Sequence, residues 1–591
     1  MEACPAAVAG PDIRSAQDTR APARPLPALV FERTPGEAAR PLPSRWRRRE
    51  PERTALHAVV RGHLSDLLDD ARRRSDSGTG YPAFVGHEFH RYLDCGVLAH
   101  GFARLRCPDC GFERLVAFSC KGRLCPSCWA RRAADTAADL VDRVLPEARY
   151  RQWVLTFPWQ MRYLLATDRA FQGLVLRTFL RTVAAWMRLR ARRLGLHDGQ
   201  VGAVTFVQRF GGILNLNPHF HTLMPDGVFL EDADAPGGPL AFVTLPPPTD
   251  ADIAALGLRL ATRIGDLARQ RFRQTQDNPP WQDPDDLPLR ITVAEAVRPP
   301  GPRPLRSLPW EAAPPPDDQG AGKTPAKALC TRVQGFSLHA ARTVAADDRL
   351  GLERLCRYGL RAPFSLDRLS LDPDGRVRYR LHRPWPTPEG RTEIVLEPVA
   401  FLRRLAALLP APYQNLVRYH GVFANRSRFR NRLPAPPVRS GEPEVASAAS
   451  MNTNAAPAGA TASPASDAAP HATATAPAGP PPEHPRRIHL GWAQLLRRVL
   501  DIDALQCPRC PPHRPLVVLA FLTDPAVVRR ILEHLKLPAT PMPVAPVRRI
   551  DWESECGAGQ QSAAWDGCDA DWGSDSAGDD VGIRDPARGP P

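Results

Sequence analysis

At 591 residues the chain is too long for one hydrophobic core, and its 66 prolines mean that part of it cannot pack. No apolar run approaches the roughly 20 residues that span a bilayer, and the Pro/Ala/Arg-rich start lacks an apolar signal core. This argues against membrane-spanning and secreted classes and makes a reducing cytoplasm the expected compartment. The net charge of +15 hides an asymmetry: residues 551–591 hold ten acidic and two basic side chains, which leaves +23 on the remainder, much of it Arg, and suits a nucleic-acid partner.

Residues 1–50 are aperiodic and end in the basic run Ser44 to Arg49, expected to be a disordered basic arm that touches DNA. The spacing of Leu56, Val59, Val60, Leu64 and Leu67 predicts an amphipathic helix over 54–74, opening a small zinc-binding domain at 51–135. Within it, Cys107-Pro108-Asp109-Cys110 and Cys125-Pro126-Ser127-Cys128 are two knuckle-like pairs separated by fourteen residues. That spacing predicts one structural site, each pair giving two thiolates to a closed tetrahedral Zn²⁺. Cys95 and Cys120 are left over near His87, His90 and His100, as a second site or as spare thiols. A helix is expected over 133–145.

The next stretch, 136–435, reads as an α+β domain with an antiparallel sheet flanked by helices. Gln152 to Phe157 is a strand stopped by Pro158. A long helix capped by Thr167 or Asp168 follows, with Phe171, Leu174, Val175, Phe179, Val183, Trp186 and Leu189 as its apolar stripe and Gly195 at its end. Ala203 to Phe210 is a strand, Gly211-Gly212 a tight connection, and Asn215 to Leu223 a second strand that Asp226-Gly227 should turn into Val228-Phe229-Leu230. Side chains alternate along a strand, so His219 and His221 share one face while Phe220 enters the core. Two imidazoles about 7 Å apart along a strand can hold one divalent cation.

Residues 231–325 read as a Pro-rich insertion with one helical piece at 253–273, and folded sequence resumes at Ala328. Asp347 or Asp348 can cap a helix through Leu350, Leu352, Leu355 and Cys356, with Tyr358 near its end and Pro363 stopping it. An Ala/Pro linker is expected at 436–485. A small C-terminal domain at 486–548 opens with a helix carrying Trp492, Leu495, Leu496, Val499 and Leu500. Its single pair Cys507-Pro508-Arg509-Cys510 has His513, His534 and Cys556 as candidate metal partners. An acidic disordered tail is expected over 549–591.

Five motifs in order carry a resemblance: Cys107-x-x-Cys110, Ser119 to Cys128, Leu214 to His221, Cys356-Arg357-Tyr358 and Asn415 to Ala424. Together they resemble the rolling-circle transposases of bacterial insertion sequences, of the common-region type with an N-terminal zinc-binding domain. The likeness covers residues 80–230 and 330–435 well, and the C-terminal unit loosely. It implies an HUH endonuclease domain, which nicks single-stranded DNA at element ends through a 5′-phosphotyrosine and passes the strand to target DNA. His219 and His221 would hold Mg²⁺ or Mn²⁺. Tyr358 would be the nucleophile, with Arg354, Arg357 and Arg361 near the phosphate, and Tyr419 is the alternative.

Two imidazoles hold a hard cation poorly, so a third ligand is expected. Gln208 on the neighbouring strand and Asp226 are candidates, although each also has an ordinary structural role as strand residue and turn-former. Paired-tyrosine relatives carry two nucleophiles four positions apart. Here those positions are Arg354 and Ala362, so this chain resembles a single-tyrosine member whose second transfer step would use another subunit of a dimer or the freed tyrosine. A histidine-triad hydrolase is excluded because position 223 is Leu. A relaxase or replication initiator with the same chemistry, and a non-catalytic zinc-containing DNA-binding protein, stay open as alternatives.

Overall fold

The computed structural model describes residues 46–548 apart from 76, 233–234, 278–286, 298–327, 383, 385–389, 438–489 and 511–513. Residues 1–45, the expected linker from 438 onward and the acidic tail lie outside the described residues. Among the described residues, no helix is long and apolar enough to cross a membrane.

Helix α1 (Ala55–Arg73) starts where Thr54 leaves helical dihedrals and its Oγ1 accepts the His57 N–H at 3.2 Å, satisfying one orphan donor of the first turn. The stripe Leu56, Val59, Val60, Leu64 and Leu67 is buried as expected. After α2 (Ala83–Asp94), strands β1 (Phe102–Arg106) and β2 (Glu113–Ala117) form a hairpin. Helix α3 (Pro126–Asp139) then continues into a π-helical turn at Leu140–Val144.

Strand β3 (Tyr150–Thr156) is followed by α4 (Trp159–Thr167) and α5 (Arg169–Arg193), whose N-cap is Asp168, accepting from the Phe171 N–H at 2.9 Å. Phe171, Val175, Phe179 and Val183 are buried, but Leu174 and Leu189 of the expected stripe are 36 % and 47 % exposed. They lie at the edge of the buried face. Strands β4 (Gly202–Phe210) and β5 (Leu216–Pro225) pair through the Gly211-Gly212 connection. Strand β6 (Gly227–Leu230) then pairs with β7 (Ala241–Thr244) and not with β5. Asp226-Gly227 is therefore not the hairpin turn expected. Asp226 is held instead by a buried two-pronged ion pair with Arg151, at 2.8 and 2.7 Å.

Helices α6 (Asp250–Asp277) and α7 (Leu287–Val297) precede β8 (Cys330–Val333), β9 (Phe336–His339) and the short β10 (Thr343–Val344). Then come α8 (Arg349–Gly359), a small sheet of β11 (Leu369–Leu371), β12 (Val377–Arg380) and β13 (Glu393–Leu396), helix α9 (Pro398–Leu408) and β14 (Val417–Gly421). The main sheet is antiparallel, in the order β14-β4-β5-β3-β9-β8, with β10 also on β3. Directly paired residues point to one face. Val207, Phe220, Leu155 and Leu338 thus form a row that packs beneath α5 and α6, beside Phe179, Val183, Ile253, Leu260 and Ile264. Helix α6 is part of this core, so the expected insertion at 231–325 is corrected: its long helix is integral because an apolar face repeats along it.

The chain closes with α10 (Trp492–Leu500), β15 (Val517–Leu522) and α11 (Pro525–His534). These do not form a domain apart. β15 pairs with β1, extending the N-terminal hairpin to three strands, and Val528 and Leu532 bury against Leu98 and Phe102. The end of the basic arm is also folded in: Trp46 meets Trp492 edge-on at 6.2 Å, and the Arg114 guanidinium lies 4.6 Å above Trp46. An aromatic and an Arg with neighbours to stack on are more stable docked than in water.

Candidate functional site

The face of the sheet opposite α5 and α6 carries the histidines. Phe206, His221, Val154 and His339 share one row, and Gln208 stands directly across from His219. The two imidazole centroids are 4.9 Å apart, and Phe220 between them is fully buried on the other side, as alternation requires.

Helix α8 is laid across this face by two local features. The Asp348 carboxylate accepts the Gly351 N–H at 2.7 Å and starts the helix. At the other end Gly359 rests on β4: a Cβ there would stand 2.4 Å from the buried Phe206 ring. The helix end is thereby brought down onto the sheet, and the Tyr358 ring meets His221 edge-on at 5.8 Å. Arg361 places its guanidinium 4.5 Å over the Tyr358 ring. Arg354, one helical turn before Tyr358, is exposed, and Arg357 is half-buried. Tyr419 lies on β14, separated from β5 by β4, and packs on the core formed around Phe206 and Phe423.

The polar groups around the imidazoles leave acceptors turned into the site. His219 Nδ1 is 2.7 Å from the Asn217 carbonyl, which fixes its proton there and leaves Nε2 with a lone pair. His221 Nδ1 is 2.9 Å from Gln152 Nε2, and the Gln152 Oε1 is buried without a hydrogen-bond partner among the described residues. With that amide turned so that Oε1 accepts from Nδ1–H, Nε2 of His221 is likewise free to ligate. Gln208 donates to the Tyr358 and Gly359 carbonyls at 3.0 and 3.1 Å, and its Oε1 is buried without a hydrogen-bond partner among the described residues. Burial chiefly, with the nearby Arg361 charge, holds His219 down at about 4 and His221 well below its ordinary value, so both rings are neutral at pH 7. Two imidazole nitrogens and one amide oxygen are thus the neutral groups that could hold a cation here. Asp226, engaged by Arg151, is not part of it.

The cysteines fall into two groups of four, each with its sulfurs mutually within 4.8 Å. One is Cys95, Cys120, Cys125 and Cys128; the other is Cys107, Cys110, Cys507 and Cys510. The single site expected from Cys107, Cys110, Cys125 and Cys128 is therefore corrected. Five-residue strands carry the first knuckle to the hairpin tip, on the order of 17 Å from the base, while Cys95 before β1 and Cys120 after β2 meet at the base. There they join Cys125 and Cys128, which open α3. The Arg49 guanidinium reaches the Cys95 carbonyl and sulfur at 2.5 and 2.9 Å, over Gly96, whose φ of +83° and lack of Cβ make room for it. Sulfur–sulfur distances of 3.5–3.6 Å in this group are near the ~3.8 Å edge of a tetrahedron with Zn–S of about 2.3 Å. His87, His90 and His100 are not in either group.

Two family models match the chain. Residues 66–157 match the one described as "Transposase zinc-binding domain", and residues 202–238 and 307–431 match the one described as "Putative transposase". A curated protein, "Putative transposase y4qJ" of Sinorhizobium fredii (strain NBRC 101917 / NGR234), is 30% identical over 142 residues, or 23% of this chain and 34% of that protein. The chain thus spans about a third of the length of the curated relative it matches. No solved structure matches it. Segments of the chain are thus similar to a transposase zinc-binding domain followed by a transposase domain, and the resemblance drawn from its motifs holds at that level.

Proposed function

We propose that the chain is a metal-dependent single-strand DNA endonuclease and strand transferase, a DNA transposase working by the rolling-circle route. The observation that supports this most is the meeting of Tyr358 with the His219/His221 pair, contributed by segments well over a hundred residues apart. Gln208 completes the proposed ligand set, since its Oε1 is buried, without a hydrogen-bond partner among the described residues, and across from His219. Bound there, Mg²⁺ or Mn²⁺ would polarise the scissile phosphate and offset charge developing on its oxygens.

The chain's own residues do the rest. Tyr358 Oη attacks phosphorus, the P–O3′ bond breaks, the phenolic proton leaves to solvent and the departing 3′ oxygen takes one up. The 5′ phosphate is then ester-linked to tyrosine. Attack on the same phosphorus by another 3′-hydroxyl releases Tyr358, so one phosphodiester replaces another without a nucleotide cofactor. Arg361, whose guanidinium lies over the ring, would pair with a phosphate oxygen. The partners in this reading are single-stranded element ends and target DNA, in the bacterial cytoplasm at the nucleoid.

The test is a labelled single-stranded oligonucleotide carrying an element end. It should form a denaturant-resistant adduct in Mn²⁺ whose labelled peptide contains Tyr358. Gln208→Ala should raise the Mn²⁺ needed for half-maximal adduct about tenfold or more. No adduct with either end in Mg²⁺ or Mn²⁺ would favour the non-catalytic DNA-binding reading.

Gly359→Ala offers a second check on the helix placement. Its added methyl meets Phe206 and should cost about 1–3 kcal/mol in stability. By lifting Tyr358 on the order of 1 Å it should slow adduct formation about a hundredfold. An unchanged adduct rate in a folded Gly359→Ala protein would show that the close approach does not set the tyrosine position.

A further inference from the structure

The second group of cysteines joins two ends of the chain. Cys107 and Cys110 come from the tip of the β1–β2 hairpin, and Cys507 and Cys510 from the segment between α10 and β15, outside both matched family segments. Cys107 Sγ lies 3.7 Å from Cys510 Sγ, and Cys110 Sγ lies 3.6 Å from Cys507 Sγ. Those separations are far from the ~2.05 Å of a disulfide and close to the ~3.8 Å edge of a Zn–S₄ tetrahedron.

The backbone around the sulfurs is shaped for a metal. Gly111, at φ +68°, closes the first knuckle by donating to the Cys107 carbonyl at 3.1 Å. In the second, the Cys507 N–H donates to the Arg514 carbonyl at 2.9 Å and closes the turn that carries both sulfurs. The two knuckles also match each other. Arg514 pairs with Asp109 at 3.1 Å, and the Arg509 guanidinium stands 5.3 Å over the Phe112 ring. Four thiolates in a closed tetrahedron select zinc over hard cations.

We propose that Cys107, Cys110, Cys507 and Cys510 bind a second structural zinc that clasps the C-terminal segment to the N-terminal hairpin. The clasp reaches towards the tyrosine helix. Arg498 on α10, buried to 2 % side-chain exposure, pairs with Glu353 of α8 at 2.8 Å and with Asp142 at 2.6 Å. Through α10, the metal that fixes residues 507 and 510 also braces the helix carrying Tyr358. The clasp itself rests on the sulfur geometry and not on the nuclease reading.

Zinc content of the full chain, purified reduced, tests it. The wild type should hold about two zinc ions per chain and Cys507→Ser/Cys510→Ser about one. The same content in both proteins would overturn the proposal. A second measurement covers the chance that the variant does not fold. Cys110 is exposed, so as a free thiol it would alkylate readily in the native wild type. Ligated to zinc, it should resist iodoacetamide until a chelator is added, as read by peptide mass. Rapid native alkylation of Cys110 in zinc-replete protein would also overturn the clasp.

Discussion

Tyr358→Phe should abolish the covalent DNA adduct, a loss on the order of a thousandfold or more, while leaving the protein folded and able to hold single-stranded DNA. The ring contacts are kept: its edge-on approach to His221 and its place under Arg361 survive in phenylalanine. Only Oη is lost, and it alone can form the phosphodiester. His219→Ala should lose the adduct by a different route, through metal affinity, so excess Mn²⁺ should partly restore His219→Ala and never Tyr358→Phe. Tyr419→Phe should retain the adduct, because β4 stands between β14 and the histidine strand. Gel assays of the three variants with one labelled oligonucleotide separate these cases. Normal adduct in Tyr358→Phe would move the nucleophile elsewhere, and its loss in Tyr419→Phe would say where.

Local rules made much of this centre legible in the sequence. Strand alternation put His219 and His221 on one face, and the Asp348 cap with Pro363 bracketed a helix that carries Tyr358 near its end. What the sequence did not reveal are the long-range facts. The partners of Cys107 and Cys110 lie about four hundred residues away, beyond any spacing rule. Yet a signal was present: Cys-Pro-x-Cys occurs three times, at 107, 125 and 507. Three pairs plus Cys95 and Cys120 are eight cysteines, enough for two closed sites. Asp226-Gly227 misled for the opposite reason. Turn chemistry is local, but a buried Arg151 claimed the carboxylate, and tertiary pairing outweighed the turn preference. Arg49 is a similar case, since a basic run looks solvated until a cysteine cluster is folded beneath it.

Cys125→Ser, or removal of the zinc expected at Cys95, Cys120, Cys125 and Cys128, should unfold the N-terminal half of the molecule. Metal binding at a four-cysteine site is worth about 10–16 kcal/mol in apparent free energy, against about 5–15 kcal/mol for the net stability of a whole domain. The site is not peripheral. Cys95, Cys125 and Cys128 are buried in the same core as Leu56, Phe89, Phe401 and Leu405, so α1, α2 and α9 all rest on it. Four thiolates around Zn²⁺ leave a net double negative charge, and the Arg49 guanidinium against Cys95 offsets half of it. Without the metal the thiols would protonate, and the Arg49 charge would lose its counterpart in a low-dielectric setting. Thermal denaturation should therefore show Cys125→Ser melting more than about 10 °C below the wild type, since a loss of several kcal/mol shifts a domain of this size by about 2–4 °C per kcal/mol. Cys330→Ser, at a half-buried cysteine outside both groups, should melt as the wild type does. Equal melting of all three proteins, or a wild-type melt indifferent to a strong zinc chelator, would reduce these cysteines to ordinary buried side chains.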